Sequence, residues 1–488
     1  MILINPDFNR AKKLGFFARY VPQSVPMGLG ALASYLTQQG KKVKLIHDNI
    51  IPITYESLDE HVKGFEKPYI FGITCVTAGI GRAYELCKMI KQKYPDAKTI
   101  LGGIHPTVLP EEALNTGYVD IVVRREAEET MDALYDAIKT RKDYSAILGI
   151  SFRDANGKIV HNENAPLPDL DSFPPFPYHL FENYRDKYSL GFIMSSRGCP
   201  YNCIFCSQRA ISGGKYRNIP MERVLGEIDL LINKYNEPHI TFFDDNFVVD
   251  RIRAKKLCVE IHERGYDKKA TFDCQTRGDA IDDDIIEHLK MANFISVGIG
   301  LETATERLLT MLKKGEMVQD NIDGVRKLKA AGFSVSGTFI LGLPTETREE
   351  RWANYKLANK LDLNFVRFNN PTPYPGTELY EIAKRENRLK IEENWSNLNA
   401  VATLVGGPTL KTPLAYVPTT TTEEELRRDL LRINILFSIH PKRILKLLSG
   451  GLAPGGWLVF EKRWYLKPKE WYYLAWFSWK VLISLIKS

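Results

Sequence analysis

Two series of alternating strands and helices constrain the fold of this 488-residue chain more than any other feature. In the first series, short β-branched runs alternate with amphipathic segments over residues 1–145. Alternation at this pitch predicts an α/β domain with a doubly wound parallel sheet, flavodoxin-like or Rossmann-like in type. The five predicted strands are Met1–Asn5, Lys42–His47, Tyr69–Cys75, Lys98–Leu101 and Val119–Val123.

The second series, over residues 191–380, predicts a partial (β/α)6 barrel of the TIM type. Polar residues follow most of its strands, and in such barrels the carboxyl ends of the strands build the active site. We therefore expect the functional site at the barrel mouth. The predicted strands are Phe192–Ser196, His239–Phe243, Ala270–Cys274, Ile295–Gly300, Ser334–Leu341 and Phe365–Phe368.

Two further regions complete the predicted organisation. Residues 146–190 are predicted as a linker, because proline fixes φ, removes a donor and favours extended chain. Residues 381–488 are predicted as a mainly helical C-terminal region. The prolines of the linker are Pro166, Pro168, Pro174, Pro175 and Pro177.

Three of the seven cysteines lie within eight residues, directly after the first barrel strand. Cys199, Cys203 and Cys206 form the spacing C-x-x-x-C-x-x-C. Thiolates are the soft ligands of iron–sulfur clusters, and a cluster with three protein ligands leaves one iron open. A zinc knuckle is the alternative, but it requires a fourth Cys or His, and none follows until His239. The other four cysteines are scattered among apolar neighbours, which indicates a reducing compartment.

The cysteine motif resembles that of the radical S-adenosylmethionine (SAM) superfamily. The resemblance implies a 4Fe-4S cluster whose open iron binds the amino and carboxylate groups of SAM. Reduction would then cleave SAM to methionine and a 5′-deoxyadenosyl radical, with the electron from a flavodoxin-type or ferredoxin-type donor. The residues that the resemblance assigns to SAM binding are Phe205, Asp244, Arg277, Glu302, Gly342 and Pro344.

The first domain resembles the cobalamin-binding domain of one branch of that superfamily. That branch includes the anaerobic magnesium-protoporphyrin monomethyl ester cyclase and the methylases of hopanoids and chlorins. The matching segments include Ile4-Asn5-Pro6, Pro26-Met27-Gly28-Leu29-Gly30 and Leu101-Gly102-Gly103-Ile104-His105. The resemblance assigns cobalamin contacts to Asn5, Gly28, Thr74, Gly102, Gly103 and His105.

Two departures from the branch leave an alternative open. The ligand motif Asp-x-His-x-x-Gly is absent, since the chain reads Asp7-Phe8-Asn9-Arg10. Arg124-Arg125-Glu126-Ala127-Glu128 stands where relatives often have Gly-Glu-Gly-Glu. A degenerate domain that no longer binds cobalamin is therefore an alternative, and His105 could instead cap its own turn.

The C-terminal tail is basic and rich in tryptophan. From Leu431 to Ser488 the chain has ten Lys or Arg residues and two acids. Trp471–Ile486 is too short to span a bilayer but suits a helix that lies in the membrane surface. A helix packed on the barrel is the alternative, and no motif supports nucleic-acid binding. Since the apolar start of the chain ends at Asn5, too soon for a signal peptide, we expect a cytoplasmic protein, peripheral on the inner face of the membrane.

These features together predict a radical SAM enzyme that uses cobalamin to methylate an unactivated carbon. The tail favours a small apolar substrate, such as a lipid or a tetrapyrrole. Ring closure or oxidation of such a substrate is one alternative. A non-catalytic, membrane-associated protein that holds a cluster is another.

Overall fold

The computed structural model describes residues 1–7, 23–398, 413–441 and 443. Seventeen strands lie in these ranges. Those before residue 190 are β1 (Ile2–Asn5), β2 (Gln23–Ser24), β3 (Lys44–His47), β4 (Ile70–Thr74), β5 (Lys98–Gly102), β6 (Ile121–Val123), β7 (Ile150–Arg153), β8 (Ile159–His161) and β9 (Tyr188–Ser189). Those after it are β10 (Phe192–Ile193), β11 (Ser196–Arg197), β12 (Arg217–Asn218), β13 (His239–Phe242), β14 (Thr271–Thr276), β15 (Phe294–Glu302), β16 (Ser334–Ile340) and β17 (Phe365–Asn369).

Helices connect most of these strands. In the N-terminal domain they are Met27–Gln38, Leu58–Val62, Ile80–Lys93, Ile104–Val108, Pro110–Asn115 and Glu128–Lys139. In the barrel they are Gln208–Ser212, Met221–Asn233, Arg251–Glu263, Asp283–Met291, Glu306–Met311, Val318–Ala330 and Arg348–Lys360. Glu378–Arg385 and Glu423–Ser438 follow the barrel.

The N-terminal sheet has the order β3-β1-β4-β5-β6-β7-β8. Its first five strands are parallel, as predicted, with Ile2 in register with Lys44 on one side and Phe71 on the other. All four residues of β1 are buried, because separate apolar clusters cover the two faces of the sheet. The strand order reverses at β1, which places a topological switch point between β1 and β4.

Residues 150–161, which the sequence assigns to the linker, instead extend this sheet as an antiparallel hairpin of β7 and β8. The turn explains the difference. Asp154 Oδ1 accepts hydrogen bonds from the Asn156 and Lys158 amides, and Gly157 adopts φ +79°. Two short strands with such a turn carry too little periodicity to be recognised against the prolines that follow.

The barrel is an open sheet of six parallel strands in sequential order, β10-β13-β14-β15-β16-β17. The six predicted strands are thus confirmed, although β10 is shorter and β14 and β15 are longer than predicted. Register shifts at Phe272/Asp273 and at Gly300/Glu302 interrupt the regular pairing of β15 with its two neighbours. Its outer face packs on the helices through a single large apolar cluster.

Helix Glu423–Ser438 covers the outer face of β17. Thr422 caps the helix by accepting a hydrogen bond from the Glu425 amide, and Asn434 donates to the Phe368 carbonyl at 3.2 Å. None of the described helices is long and apolar enough to cross a membrane. The predicted membrane-surface helix, Trp471–Ile486, lies outside the described residues.

Candidate functional site

The cysteine loop runs from β11 to helix Gln208–Ser212 at the mouth of the barrel. Gly198 adopts φ +86°, and a Cβ at this position would overlap the Lys215 carbonyl, so the turn requires glycine. Ile204 is buried against Leu308 and Leu343, and its amide donates to the Leu312 carbonyl at 3.1 Å. The loop is therefore anchored in its middle while its cysteines remain accessible.

All three cysteines of the loop are free thiols. Cys199 and Cys203 are half-buried and Cys206 is exposed. Desolvation raises the pKa of all three, that of Cys203 to about 12 and that of Cys206 to about 11. Metal binding at neutral pH must therefore displace their protons.

The donor set of this loop fits an iron–sulfur cluster. In the described parts of the chain, no three His, Cys, Asp or Glu side chains converge on a single metal ion. A 4Fe-4S cluster does not need such convergence, because each of three irons takes one thiolate. Zinc would need four ligands around one point.

Asp244 and Asp245 follow β13 and have different surroundings. Asp244, which the resemblance assigns to SAM, is fully buried and accepts hydrogen bonds from the amide and hydroxyl of Ser195 and the hydroxyl of Ser196. Asp245 is exposed. Although the residue is exposed, protein atoms around its carboxyl group partly desolvate it. This desolvation, and then the charge of Asp244, raise the pKa of Asp245 to about 6, while the Gly198 amide and Gln208 oppose the rise. Asp245, rather than Asp244, therefore faces the cysteine loop.

A buried group of charges lies beside Cys203. Lys314 Nζ lies 3.3 Å from Glu302 Oε1 and 2.7 Å from Glu316 Oε1, and it donates to the Gly300 carbonyl. Glu316 Oε2 is buried and has no hydrogen-bond partner among the described residues. Desolvation raises the pKa of Cys203, Glu302 adds to the rise and Lys314 opposes it.

Arg277 joins this group to the cysteine loop. Its guanidinium lies 2.6 Å from Asp279 and 3.5 Å from Glu316, and it stacks 3.8 Å from the ring centre of Tyr201. Sequence reasoning missed Lys314 and Glu316, because they follow helix Glu306–Met311 and not a strand. Tyr201 lies within the cysteine motif, but its contact with Arg277 was not predictable from spacing.

The other residues assigned to SAM lie around the same mouth. Phe205 is half-buried against the apolar cluster that holds Ile204. Gly342 adopts φ +96° and donates its amide hydrogen to Glu346 Oε2 at 2.5 Å. Pro344, two residues on, is buried. This turn after β16 is thus fixed by a buried carboxylate.

Five of the six residues assigned to cobalamin lie at or near the carboxyl edge of the N-terminal sheet. Thr74 ends β4 and Gly102 ends β5; Gly103 adopts φ +102°, where a Cβ would lie 2.5 Å from the Cys75 carbonyl oxygen. Asn5 ends β1 and donates to Asn49 Oδ1 and the Tyr188 hydroxyl at 3.1 Å each. Gly28 is exposed in the first turn of its helix.

His105, the sixth, is fully buried. Its Nδ1 lies 3.3 Å from the Thr77 hydroxyl and its Nε2 lies 3.3 Å from Glu112 Oε1. The Trp395 ring packs on it at 5.3 Å. With both nitrogens engaged inside the domain, His105 has none to offer to a cofactor, and the assigned contact is not supported.

A crevice of about 460 Å³ opens at the switch point between β1 and β4. Asp48 lines it and pairs with Arg82 at 2.6 Å. Gly79 and Gly81 line it at the start of helix Ile80–Lys93, and Asn394 closes it from the C-terminal region. None of the six residues assigned to cobalamin lines this crevice. A polar crevice at a switch point can hold part of a large cofactor such as cobalamin.

The loop after β6 joins the two domains beside the cysteine loop. Arg197 Nη1 lies 2.9 Å from Glu126 Oε2 and 2.8 Å from Glu128 Oε1. Arg217 also pairs with Glu126, and Arg125 Nε donates to the Ile211 carbonyl at 3.2 Å. Arg125, which stands in place of a glycine, and the two glutamates that match Gly-Glu-Gly-Glu therefore all contact the barrel.

Two family profiles match the chain. The profile described as the radical SAM superfamily matches residues 193–358, and that of the B12 binding domain matches residues 16–135. An uncharacterized methyltransferase of Pyrococcus horikoshii is 33% identical over 426 residues, which cover 86% of this chain and 89% of the relative. The anaerobic magnesium-protoporphyrin IX monomethyl ester cyclase of Cereibacter sphaeroides is 27% identical over 342 residues, 67% of this chain and 55% of the cyclase.

A solved structure has the same fold. The radical SAM methyltransferase TsrM of Kitasatospora setae, with cobalamin and a [4Fe-4S] cluster bound, aligns with a TM-score of 0.68. The alignment covers 88% of this chain and 84% of TsrM at 19% identity. At this identity the likeness is one of fold, and it includes both the N-terminal sheet and the barrel.

Proposed function

Because the chain belongs to the radical SAM superfamily, in the branch that carries a B12-binding domain, we propose that it methylates an unactivated carbon of a small apolar substrate. It is an enzyme whose cofactors are a 4Fe-4S cluster, SAM and cobalamin, and an external donor supplies the electron. The substrate class that we favour is a lipid or a tetrapyrrole. The sequence likeness to a cyclase named for its magnesium-protoporphyrin substrate supports this choice.

The observation that carries the proposal is the ion-pair junction at Arg197. This residue lies two positions before Cys199 and pairs with Glu126 and Glu128 of the N-terminal domain. The junction brings the glycine-rich edge of that domain to the cysteine loop. Methyl transfer needs such proximity, because the radical and the methyl donor must meet one carbon of the substrate.

The bound groups would supply reductive cleavage of SAM to a 5′-deoxyadenosyl radical and the methyl group of cobalamin. In our proposal the chain's residues bind and orient these groups. Cys199, Cys203 and Cys206 hold the cluster, Phe205 packs beside it, and Asp245 fixes the start of the loop through the Gly198 amide.

The remaining SAM contacts in our proposal come from the barrel mouth. Glu302, paired with Lys314, offers a carboxylate beside Cys203, and the turn at Gly342 and Pro344 offers backbone groups. Arg277 orders the outer part of the cysteine loop by stacking on Tyr201. Asp244 contributes by tying β13 to β11.

For cobalamin, the proposed contacts are Asn5, Gly28, Thr74, Gly102 and Gly103. A Cβ at Gly103 would strike the Cys75 carbonyl, so the backbone comes unusually close to the end of β4 there. The carbonyls of Gly102 and Gly103 are engaged by the Cys75 and Thr107 amides, so this edge of the sheet is held in a fixed conformation.

The test is the fate of SAM in an anaerobic reaction with reductant, cobalamin and a lipid and pigment extract. Methylation predicts that both 5′-deoxyadenosine and S-adenosylhomocysteine form, and that both depend on the extract and on added cobalamin. Deoxyadenosine without S-adenosylhomocysteine would contradict methyl transfer and favour ring closure or oxidation. Absence of both products would favour a non-catalytic protein.

We also propose that the basic, tryptophan-rich tail holds the enzyme at the cytoplasmic face of a membrane. Deletion of residues 471–488 should release the protein from anionic liposomes in a flotation assay. A matched variant with Lys480→Gln and Lys487→Gln should bind more weakly and with less dependence on salt. Unchanged binding by the deletion variant would contradict this part of the proposal.

A further inference from the structure

The inner face of the barrel carries rows of polar residues beside three aromatic side chains, those of Phe192, Phe243 and Phe365. Along β17 the side chains of Val366 and Phe368 belong to the outer apolar cluster, so Arg367 and Asn369 point to the lumen. The strand registers place inner residues in rows across the sheet. The rows are Thr241–Asp273–Ser296, then Gln275–Gly298–Ser336, then Gly300–Thr338–Arg367.

The polar side chains nearest the amino-terminal ends of β13 and β14 form hydrogen bonds with one another. His239 Nε2 lies 2.8 Å from Asp273 Oδ2, its Nδ1 lies 2.8 Å from the Thr271 hydroxyl, and Thr241 donates to Asp273 at 3.2 Å. These residues form a closed floor to the lumen. A ligand would therefore occupy the space above them, level with the rows of Ser336 and Thr338.

Arg367 is the one arginine or lysine on the inner face of these six described strands. It is half-buried, and burial lowers its pKa while nearby Glu302 opposes the shift. Glu302 is itself paired with Lys314 at 3.3 Å. Lys314 and Arg277 are the cations whose charges act on Cys203, so both are better placed than Arg367 for an anion held at the cysteine loop.

Asn369 lies two residues along the same strand, on the same face as Arg367. Its Oδ1 is buried and accepts no hydrogen bond from the described residues. A buried acceptor of this kind normally has a donor, and a ligand in the lumen can supply one. The Cα atoms of Arg367 and Asn369 lie about 7 Å apart along the strand, so both side chains can serve one small molecule.

We propose that the substrate carries an anionic group, a carboxylate or a phosphate, that binds Arg367 inside the barrel. Arginine presents a planar fork of donors that matches both anions, and the polar rows beside it would be poorly matched to a hydrocarbon. This inference rests on the proposed function and narrows it: the substrate is amphiphilic, with an apolar skeleton and an acidic group that enters the lumen first.

The first experiment separates the activating compound by charge. A small-molecule extract is divided on an anion-exchange resin at neutral pH, and each fraction is added to the anaerobic reaction with SAM, cobalamin and reductant. The retained fraction should stimulate S-adenosylhomocysteine formation. Stimulation by the unretained fraction alone would overturn the inference while leaving methyl transfer intact.

The second experiment uses Arg367→Met and Arg367→Lys. For Arg367→Met, the amount of retained fraction needed for half-maximal stimulation should rise about ten-fold or more, with a smaller rise for Arg367→Lys. SAM affinity should fall much less than this response, because Arg367 is near Glu302 but does not itself hold SAM in this inference. Arg326→Met is the matched control, because Arg326 is exposed and pairs with Asp323 of its own helix at 3.7 Å. A comparable loss of SAM affinity in Arg367→Met would assign Arg367 to SAM and overturn the inference.

A binding measurement keeps this inference separate from the proposed function. The holoprotein is incubated with the retained fraction and filtered, and the bound compounds are identified by negative-ion mass spectrometry. The wild-type chain and Arg326→Met should retain an anionic compound that Arg367→Met loses, whether or not methylation is observed. Equal retention by all three proteins would overturn the inference.

Discussion

The Arg197 guanidinium lies 2.8 Å from the carboxylate of Glu128. This ion pair joins the strand before the cysteine loop to the N-terminal domain, where Glu128 is the first residue of a helix. Glu126 also pairs with this guanidinium, and the ring of Phe173 lies 5.2 Å from it. Burial lowers the pKa of Arg197, but the two glutamates raise it by more, so its pKa lies above the usual value. This ion-pair junction joins the two domains beside the cysteine loop.

We predict that Arg197→Met destabilises the protein by about 3 kcal/mol, because two largely buried carboxylates lose their shared cation. The free energy of unfolding from denaturant titration measures this loss. Arg197→Met combined with Glu128→Gln should recover part of it, while Glu126 keeps its pair with Arg217. An equal loss in the double variant would show that the Glu128 charge is not the cause.

We predict that Gly103→Ala weakens cobalamin binding by about ten-fold or more, because the new Cβ meets the Cys75 carbonyl and forces the edge of the sheet to shift. Gly40→Ala is the matched control. Gly40 has φ +74°, but a Cβ added there would meet no atom within 4 Å, so its substitution strains the backbone by about 1 kcal/mol without a clash. Equal cobalamin affinity in the two variants, by absorbance titration, would contradict this role for Gly103.

A pH-dependent contribution to stability is expected from Glu346. Burial raises its pKa from 4.5 to about 7, although Arg351 and the Gly342 amide oppose the rise. Between these values the folded state holds the proton more tightly than the unfolded state, so the free energy of unfolding falls as the pH rises through this window. Glu346→Gln should flatten this fall relative to the wild-type chain; an unchanged slope would contradict the shift.

Asp429 provides the contrast to Glu346. Both carboxylates pair with the fully buried Arg351, Asp429 at 2.7 Å and Glu346 at 3.2 Å. At pH 7 we predict that Asp429→Asn costs about 3 kcal/mol, because Arg351 loses its ionised partner. Glu346→Gln should cost less, since Glu346 is already partly protonated at this pH. Similar costs for both would contradict the assignment of the charge to Asp429.

Much of the fold was predictable because its strands are short β-branched runs with clear ends. All eleven predicted strands are present, and the polar residues that follow the barrel strands do meet at one mouth. The hairpin of β7 and β8 was missed because its strands have four and three residues. Their pairing with β6 depends on a turn at Asp154 and not on periodicity.

The site was less predictable than the fold, for reasons that differ by residue. Lys314 reaches Glu302 from a loop after a helix, and no strand end points to it. His105 packs against Trp395, which lies far away in the sequence. Asp244 and Asp245 are adjacent and chemically alike. Their side chains point to opposite sides of the extended chain, and this alone decides which one faces the cysteine loop. Such relationships are set by tertiary packing and leave no local pattern.

The most direct test is the iron content and 5′-deoxyadenosine yield of a variant with Cys199, Cys203 and Cys206 replaced by Ala. The control replaces Cys258 and Cys274, which are buried thiols away from the loop. After anaerobic reconstitution and reduction with SAM, we predict that the triple variant lacks both the iron–sulfur absorbance and deoxyadenosine, while the control retains both. A triple variant that still binds the cluster, or still cleaves SAM, would contradict the assignment of these cysteines.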